Sequence, residues 1–255
     1  MTNYAGRYAE LYDLFYGDKP YADEARFVHD CIQEFGSHPM RKILELACGT
    51  GRHALELEKF GYEIIATDRS PDMLEIARRR AAMNNSKIIF ALADMRSLEI
   101  PEKDYDAVVC LFDSIGYLKT DEALHDAFRQ IRDRLRPGGL FIFEFWHAPA
   151  MLNQYSPMRV RKLKTENSEI LRTSETTLDR EKRLATVNYT VEERNKDGTR
   201  STLHESHTNR FFSVDEMKSL VSSASFEPLE FFAGFDKQQS INDDTWHIVS
   251  VNRKS

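Results

Sequence analysis

The sequence predicts an α/β fold: a doubly wound, mostly parallel seven-stranded sheet with a small antiparallel sheet inserted near its end. Three observations predict it. Between residues 42 and 145, short apolar runs alternate with stretches of helical periodicity, as parallel strands covered on both faces do. Gly49-Thr50-Gly51 lies where the first such run gives way to a helical stretch, so the chain can turn sharply there and let a ligand near the backbone. From 155 to 208 the pattern changes to alternating polar and apolar residues rich in Thr and Val, which suits half-buried antiparallel strands. With 255 residues and 41% hydrophobic composition, the chain can bury a full core as one large domain carrying an insertion.

The elements follow in order. In residues 1–35, Tyr8, Tyr12, Phe15 and Tyr16 recur at helical spacing and give one apolar face with phenolic tips. Such a face suits a packing helix or a lid over a wet cleft, and 1–35 is expected to be a helical lid. Asp18-Lys19-Pro20 breaks the element, and Tyr21 restarts it toward Phe35. Buried strands are expected at 42–47, 63–67, 88–91, 107–110 and 140–145, with helices at 54–60, 71–83 and 122–135. Ser70-Pro71-Asp72 opens the second helix with a cap residue and then proline at the first helical position. Leu135-Arg136-Pro137-Gly138-Gly139-Leu140 ends the third and starts the fifth strand. Strands at 159–164, 169–178, 183–193 and 201–207 build the inserted sheet, with Asn195-Lys196-Asp197-Gly198 as a hairpin signal. A helix at 213–223, with Asp215 and Glu216 in its first turn, and a strand pair at 228–235 and 246–251 close the chain. The main domain is then 36–154 together with 209–255, and the insertion is 155–208.

Composition narrows the function. A net charge of −6 argues against a nucleic-acid platform, which needs a basic excess. Arg78-Arg79-Arg80 falls late in a helix, where cations suit the dipole. The basic run at 159–164 alternates like a solvated strand face. No apolar run approaches membrane-spanning length, and the polar N-terminus does not read as a signal peptide, so no membrane partner is expected. Cys31, Cys48 and Cys110 are unclustered, which suggests a reducing cytoplasmic setting, no disulfide framework and no metal-ligand cluster.

Ligands of such sheets bind beyond the carboxyl ends of the strands, where Glu45, Gly49, Asp68, Asp94, Leu111 and Trp146 all fall. Asp68 follows the second strand and can reach a ribose diol. Strand, glycine loop, helix, strand and carboxylate together make a site for an adenosine-containing cofactor. Gly49, Gly51 and Ala54 also fit the dinucleotide fingerprint G-x-G-x-x-G/A, which holds a pyrophosphate at a helix N-terminus. Glu45 at the strand end would repel a pyrophosphate but could accept from the ammonium of S-adenosyl-L-methionine. Asp94-Met95 could hold an adenine by edge and face.

Taken with the Leu135–Leu140 stretch, these motifs resemble the class I S-adenosylmethionine-dependent methyltransferases. Two further stretches narrow the likeness: Tyr12-Asp13-Leu14-Phe15-Tyr16 with Tyr21-Ala22-Asp23-Glu24-Ala25, and Leu111-Phe112-Asp113-Ser114-Ile115-Gly116-Tyr117-Leu118-Lys119-Thr120. Both resemble N-methyltransferases of nucleotide-linked amino sugars, such as the TDP-3-amino-sugar N,N-dimethyltransferases. The likeness runs from about Tyr12 to Trp146, weakens through the insertion and resumes around His207 and Phe211. It implies Tyr16 at the sugar, Tyr21 and Ala47 at the cofactor, Asp68 on the ribose, Asp94 and Met95 on the adenine, and Leu111 after the fourth strand. Relatives commonly carry a Pro-Trp-Trp-like stretch after the fifth strand's glutamate, whereas this chain has Glu144-Phe145-Trp146-His147.

Expected cofactor residues are therefore Tyr21, Glu45, Ala47, Gly49, Gly51, Asp68, Asp94, Met95 and Leu111. Methyl transfer from a sulfonium is an in-line displacement that asks mainly for alignment and exclusion of water. A neutral amine needs no base to attack, and a hydroxyl needs more help. Tyr16, Tyr117, His147 and His207 are the candidates at the cleft mouth, while Asp106 and Asp113 read as isolated carboxylates. The expected partner is a small-molecule acceptor, with a nucleotide-sugar as the leading candidate and a homodimer as the candidate assembly. Another small amine or hydroxyl metabolite, or a cofactor-binding protein without catalysis, are the alternatives.

Overall fold

The computed structural model describes residues 4–100 and 102–255; residues 1–3 of the expected lid and Pro101 lie outside the described residues. The main sheet comprises β1 (Lys42–Leu46), β2 (Glu63–Asp68), β3 (Ile89–Leu92), β4 (Tyr105–Cys110), β5 (Leu135–Trp146), β10 (Phe226–Ala233) and β11 (His247–Lys254). Their order is β10-β11-β5-β4-β1-β2-β3. The strands from β3 across to β5 run parallel, and β11 is antiparallel to both of its neighbours. Parallel neighbours need crossover helices, which α3 (Arg52–Glu58), α4 (Pro71–Met83) and α5 (Asp121–Arg134) supply.

Each face of the sheet has its own core. Leu44, Leu46, Val108, Cys110, Phe141, Phe143 and Phe145 pack on one side with α5 and α7 (Val214–Ser223). Ile43, Ala107, Val109, Ile142, Val249 and Val251 pack on the other with α2 (Tyr21–Phe35), α3 and α4. This is the period-two division of a strand buried on both faces. Ser70, Thr120 and Ser213 cap α4, α5 and α7 by accepting from the N–H of Met73, Ala123 and Glu216.

Some boundaries differ from expectation. β3 is an edge strand rather than a buried one, with Ile89 57% and Leu92 61% exposed, because among the described residues no strand pairs beyond it. Leu135 leaves the helix and enters β5, since Pro137 two residues on favours extended backbone. The short helix α6 (Ala148–Gln154) was not foreseen.

The inserted sheet is β6 (Met158–Lys164), β7 (Ser168–Asp179), β8 (Leu184–Asn195) and β9 (Arg200–Arg210), paired in that order and antiparallel throughout. Gly198 closes the β8–β9 hairpin at φ 90°. Helix α1 (Gly6–Phe15) joins the two sheets. Tyr8, Leu11 and Phe15 pack on Ile170 and Val191 of the insertion, while Ala9 and Tyr12 meet Met73 of α4. Asp13 ties α1 to the glycine loop by accepting from Thr50 Oγ1 at 2.8 Å and pairing with Arg80.

Candidate active site

A cavity of about 480 Å³ lies at the carboxyl ends of β1 to β4. Its lining gathers Glu45 near the end of β1 with Ala47 and Gly49 after it, Asp68 at the end of β2, Asp94 and Met95 after β3, Leu111 after β4, and Tyr21 from α2. Of the residues expected at the cofactor, only Gly51 stands off this lining. At φ 74° it opens α3, and a Cβ there would lie 3.0 Å from Phe90 and 3.1 Å from Ala77. Gly51 therefore serves the packing of α3 against α4 and β3, which corrects its assignment to the ligand. Gly49 is the opposite case: its added Cβ would meet only Met73 Cε at 3.7 Å, so the loop is open to a ligand there.

Two backbone amides of this loop are already engaged. Gly49 N–H donates to Asp68 Oδ2 at 2.8 Å, and Gly51 N–H donates to the Cys48 carbonyl at 2.9 Å. A pyrophosphate cradle needs such amides free, so these two count against a phosphate at the loop. The acids point the same way. Glu45 is 2% exposed, and among the described residues its Oε2 has no hydrogen-bond partner. Burial, with the Asp68 charge adding to it, pushes its carboxyl up to about 8. An incoming ammonium would satisfy that oxygen and restore the charge. Asp68 is also raised by burial, against the opposing bonds from Ser70 and Gly49 N–H. Asp94 brings a partner that the sequence reading lacked: Arg96 Nε lies 3.0 Å from both its oxygens and draws its carboxyl below the usual range. These residues fit S-adenosyl-L-methionine: an unpaired acid for the ammonium, a carboxylate after β2 for the ribose, and Asp94-Met95 beside it.

A second cavity of about 450 Å³ lies between the inserted sheet and the ends of β4 and β5. Tyr4, Phe112 and Tyr117 line both cavities and so form the junction. Tyr16, Tyr117 and His207 meet here, and His147 does not. His147 is buried at the start of α6 with Nδ1 3.1 Å from the Thr245 carbonyl, where it anchors α6 to the loop before β11. It was expected at the cleft mouth, but the chain turns inward at that residue. Tyr117 Oη lies 2.7 Å from Tyr4 Oη and 2.9 Å from His207 Nδ1, and Tyr16 Oη accepts from Arg172 at 2.7 Å. Burial lowers His207 to about 4, aided by Arg172 and Arg69, so the ring is neutral near pH 7. Burial also raises the Tyr117 phenol above its ordinary range.

The reading of Asp113 and Asp106 as isolated is overturned. His247 Nδ1 sits 3.0 Å from Asp113 Oδ2 and 3.1 Å from Glu144 Oε1, and Glu144 Oε2 accepts the Phe112 N–H at 2.6 Å. Burial works against the His247 charge, but Asp113 and Glu144 outweigh it and push the imidazole up to about 11. The three side chains gather as metal ligands can, yet the protonated ring itself serves as the cation between the two acids. Phe112 and Asp113 take φ of 56° and 55°, a strained left-handed pair that turns Phe112 into the junction. Asp106 accepts the Arg41 and Lys42 N–H groups at 2.7 Å and pairs with Arg136 at 2.9 Å. No sequence signal joins His247 to Asp113; only the register of β11 on β5, His247 opposite Trp146, brings them together.

Comparison with known proteins places this geometry. Residues 43–139 match the methyltransferase domain family. A stretch of 144 residues is 35% identical to the dTDP-3-amino-3,4,6-trideoxy-alpha-D-glucopyranose N,N-dimethyltransferase of Streptomyces venezuelae, covering 56% of this chain and 58% of that protein. The chain thus spans little more than half the length of that relative. Glycine N-methyltransferase of Rattus norvegicus is 27% identical over 73% of this chain and 68% of its own. The crystal structure of an S-adenosylmethionine-dependent methyltransferase from Clostridium acetobutylicum shares the fold, with a TM-score of 0.82, 21% identity and 97% of each chain covered.

Proposed function

We propose, with the methyltransferase domain at 43–139 as premise, that this chain is an S-adenosylmethionine-dependent methyltransferase acting on the amino group of a nucleotide-linked sugar. The observation that carries the reading is the pair of joined cavities. One holds an unpaired buried acid; the other has phenols and a neutral histidine, and its lining carboxylate among the described residues, Asp113, is already engaged by His247. When bound, the cofactor supplies a sulfonium methyl group. Glu45 ionises to accept from the cofactor's ammonium, Asp68 offers its remaining lone pairs to the ribose diol, and Met95 packs on the adenine. Tyr4, Phe112 and Tyr117 frame the junction and keep water from the transfer line.

Tyr16 and Tyr117 orient the acceptor amine, each held by its own partner, Arg172 and His207. A phenol raised by burial is a poor proton acceptor, which an amine tolerates and a hydroxyl does not. Helix α1 and its flanks belong to the same proposal as a lid, since Tyr4 before it lines both cavities, Tyr12 within it the first and Tyr16 after it the second. A cytoplasmic setting fits the three buried free thiols. The likeness to glycine N-methyltransferase supports a second reading, another small amine as acceptor. Release of S-adenosylhomocysteine over a panel of amine and hydroxyl acceptors tests the proposal: turnover confined to amines supports it, and turnover confined to hydroxyls removes it.

A further inference from the structure

The inner face of the inserted sheet carries a charge arrangement that its own chain does not balance. Arg161 of β6 stands directly opposite Arg172 of β7, and Arg159 opposite Ser174. Directly opposed residues share a face, so the pair sets like charges on neighbouring strands, which destabilises a sheet. Arg159 lies two residues from Arg161 and lines the same cavity with both. Adjacent strands are about 4.8 Å apart and alternate residues about 6.6 Å, so the three cations spread along the wall rather than meet at one point.

Arg172 makes the imbalance costly. It is 7% exposed, and among the described residues no carboxylate pairs with it. One nitrogen donates to Tyr16 Oη, its Nε has no partner, and its guanidinium lies 4.3 Å from the Tyr189 ring centroid and 4.6 Å from that of Phe15. Such ring contacts offset only part of the cost of burying an unpaired ion. Arg161 finds the Phe15 carbonyl at 2.9 Å and Asp18 at 3.4 Å, and Asp18 is 96% exposed, too solvated to neutralise it.

We infer that Arg159, Arg161 and Arg172 form an oxyanion site on the acceptor cavity, whose three cations suit two linked phosphoryl groups better than one carboxylate. The inference rests on the methyltransferase reading in that it makes this anion part of the acceptor. It assigns recognition of the acceptor's charged half to the insertion, leaving the amine to Tyr16 and Tyr117.

Calorimetry of inorganic pyrophosphate binding to the full chain saturated with S-adenosylhomocysteine tests it, with acetate as the carboxylate control. The wild-type protein should bind pyrophosphate, more weakly as salt rises, and acetate far less. Arg161→Ala and Arg159→Ala, both at exposed positions, should each weaken pyrophosphate by roughly tenfold or more and leave S-adenosylhomocysteine affinity unchanged. Pyrophosphate binding that neither substitution alters, or acetate binding equally well, overturns the site. If S-adenosylhomocysteine binds and pyrophosphate does not, the oxyanion site falls and the methyltransferase reading stands. The converse removes that reading and leaves an oxyanion site.

Discussion

A buried acid with an oxygen left unpartnered is costly, and Glu45 bears that cost in the absence of a ligand. Its folded-state value near 8 is raised above the usual 4.5, so its contribution to stability is fully present below about pH 4.5 and is lost as pH rises through about 8. Glu45→Gln should flatten that fall in chemical denaturation across this window. Binding should also be proton-linked. Near pH 7 an ammonium meeting a protonated Glu45 should release up to about one proton, read by calorimetry in buffers of different ionisation enthalpy. No difference between buffers would place the ammonium elsewhere. Asp68→Ala should weaken S-adenosylhomocysteine by about 1–3 kcal/mol, since it removes the ribose acceptor and frees the Gly49 N–H. Unchanged affinity would mean that Asp68 serves only the loop. Glu45 and Asp68 were legible from their places at strand ends; the unpaired state of Glu45 was not, because it depends on what the folded chain fails to bring near.

At the scale of elements, periodicity revealed most of the fold, because strands buried on both faces and capped helices write their pattern locally. It misled where a neighbour was missing or a turn ruled: β3 reads like a core strand but has no strand beyond it, and Gly51 reads as a ligand glycine but makes room for Phe90 and Ala77. Gly51→Ala should therefore destabilise the protein by about 1–3 kcal/mol, through its φ of 74° and the crowded Cβ, in denaturant unfolding. An unaffected midpoint would show that α3 and α4 yield freely. For α1, protease cleavage within 6–15 should slow sharply when S-adenosylhomocysteine is bound if this helix is a lid. Equal rates with and without ligand would make it a fixed packing helix, held by Arg80 and Glu193 through Asp13 and Arg7.

At the scale of the molecule, the acceptor cavity is assembled from the flanks of α1, the loop after β4, the inserted sheet and the start of β11, segments as far apart in the chain as Tyr4 and His247. Local pattern cannot foretell such a meeting, which is why Tyr16, Tyr117 and His207 could be named singly while Arg172 and His247 were passed over. The division between the cavities also sets the expected kinetics. Tyr117→Phe and His207→Asn should weaken acceptor binding with rate losses well below the roughly 10²–10⁴-fold that follows removal of a general base. A loss of turnover with both ligands still bound would demand a true base and favour a hydroxyl acceptor. The most direct measurement uses two TDP-sugars identical except that one carries an amino group where the other carries a hydroxyl, each incubated with S-adenosyl-L-methionine and the product analysed by NMR. The proposed function predicts methyl on nitrogen in the first and no methylation of the second; methyl on oxygen, or an unmodified amine despite bound cofactor, would contradict it.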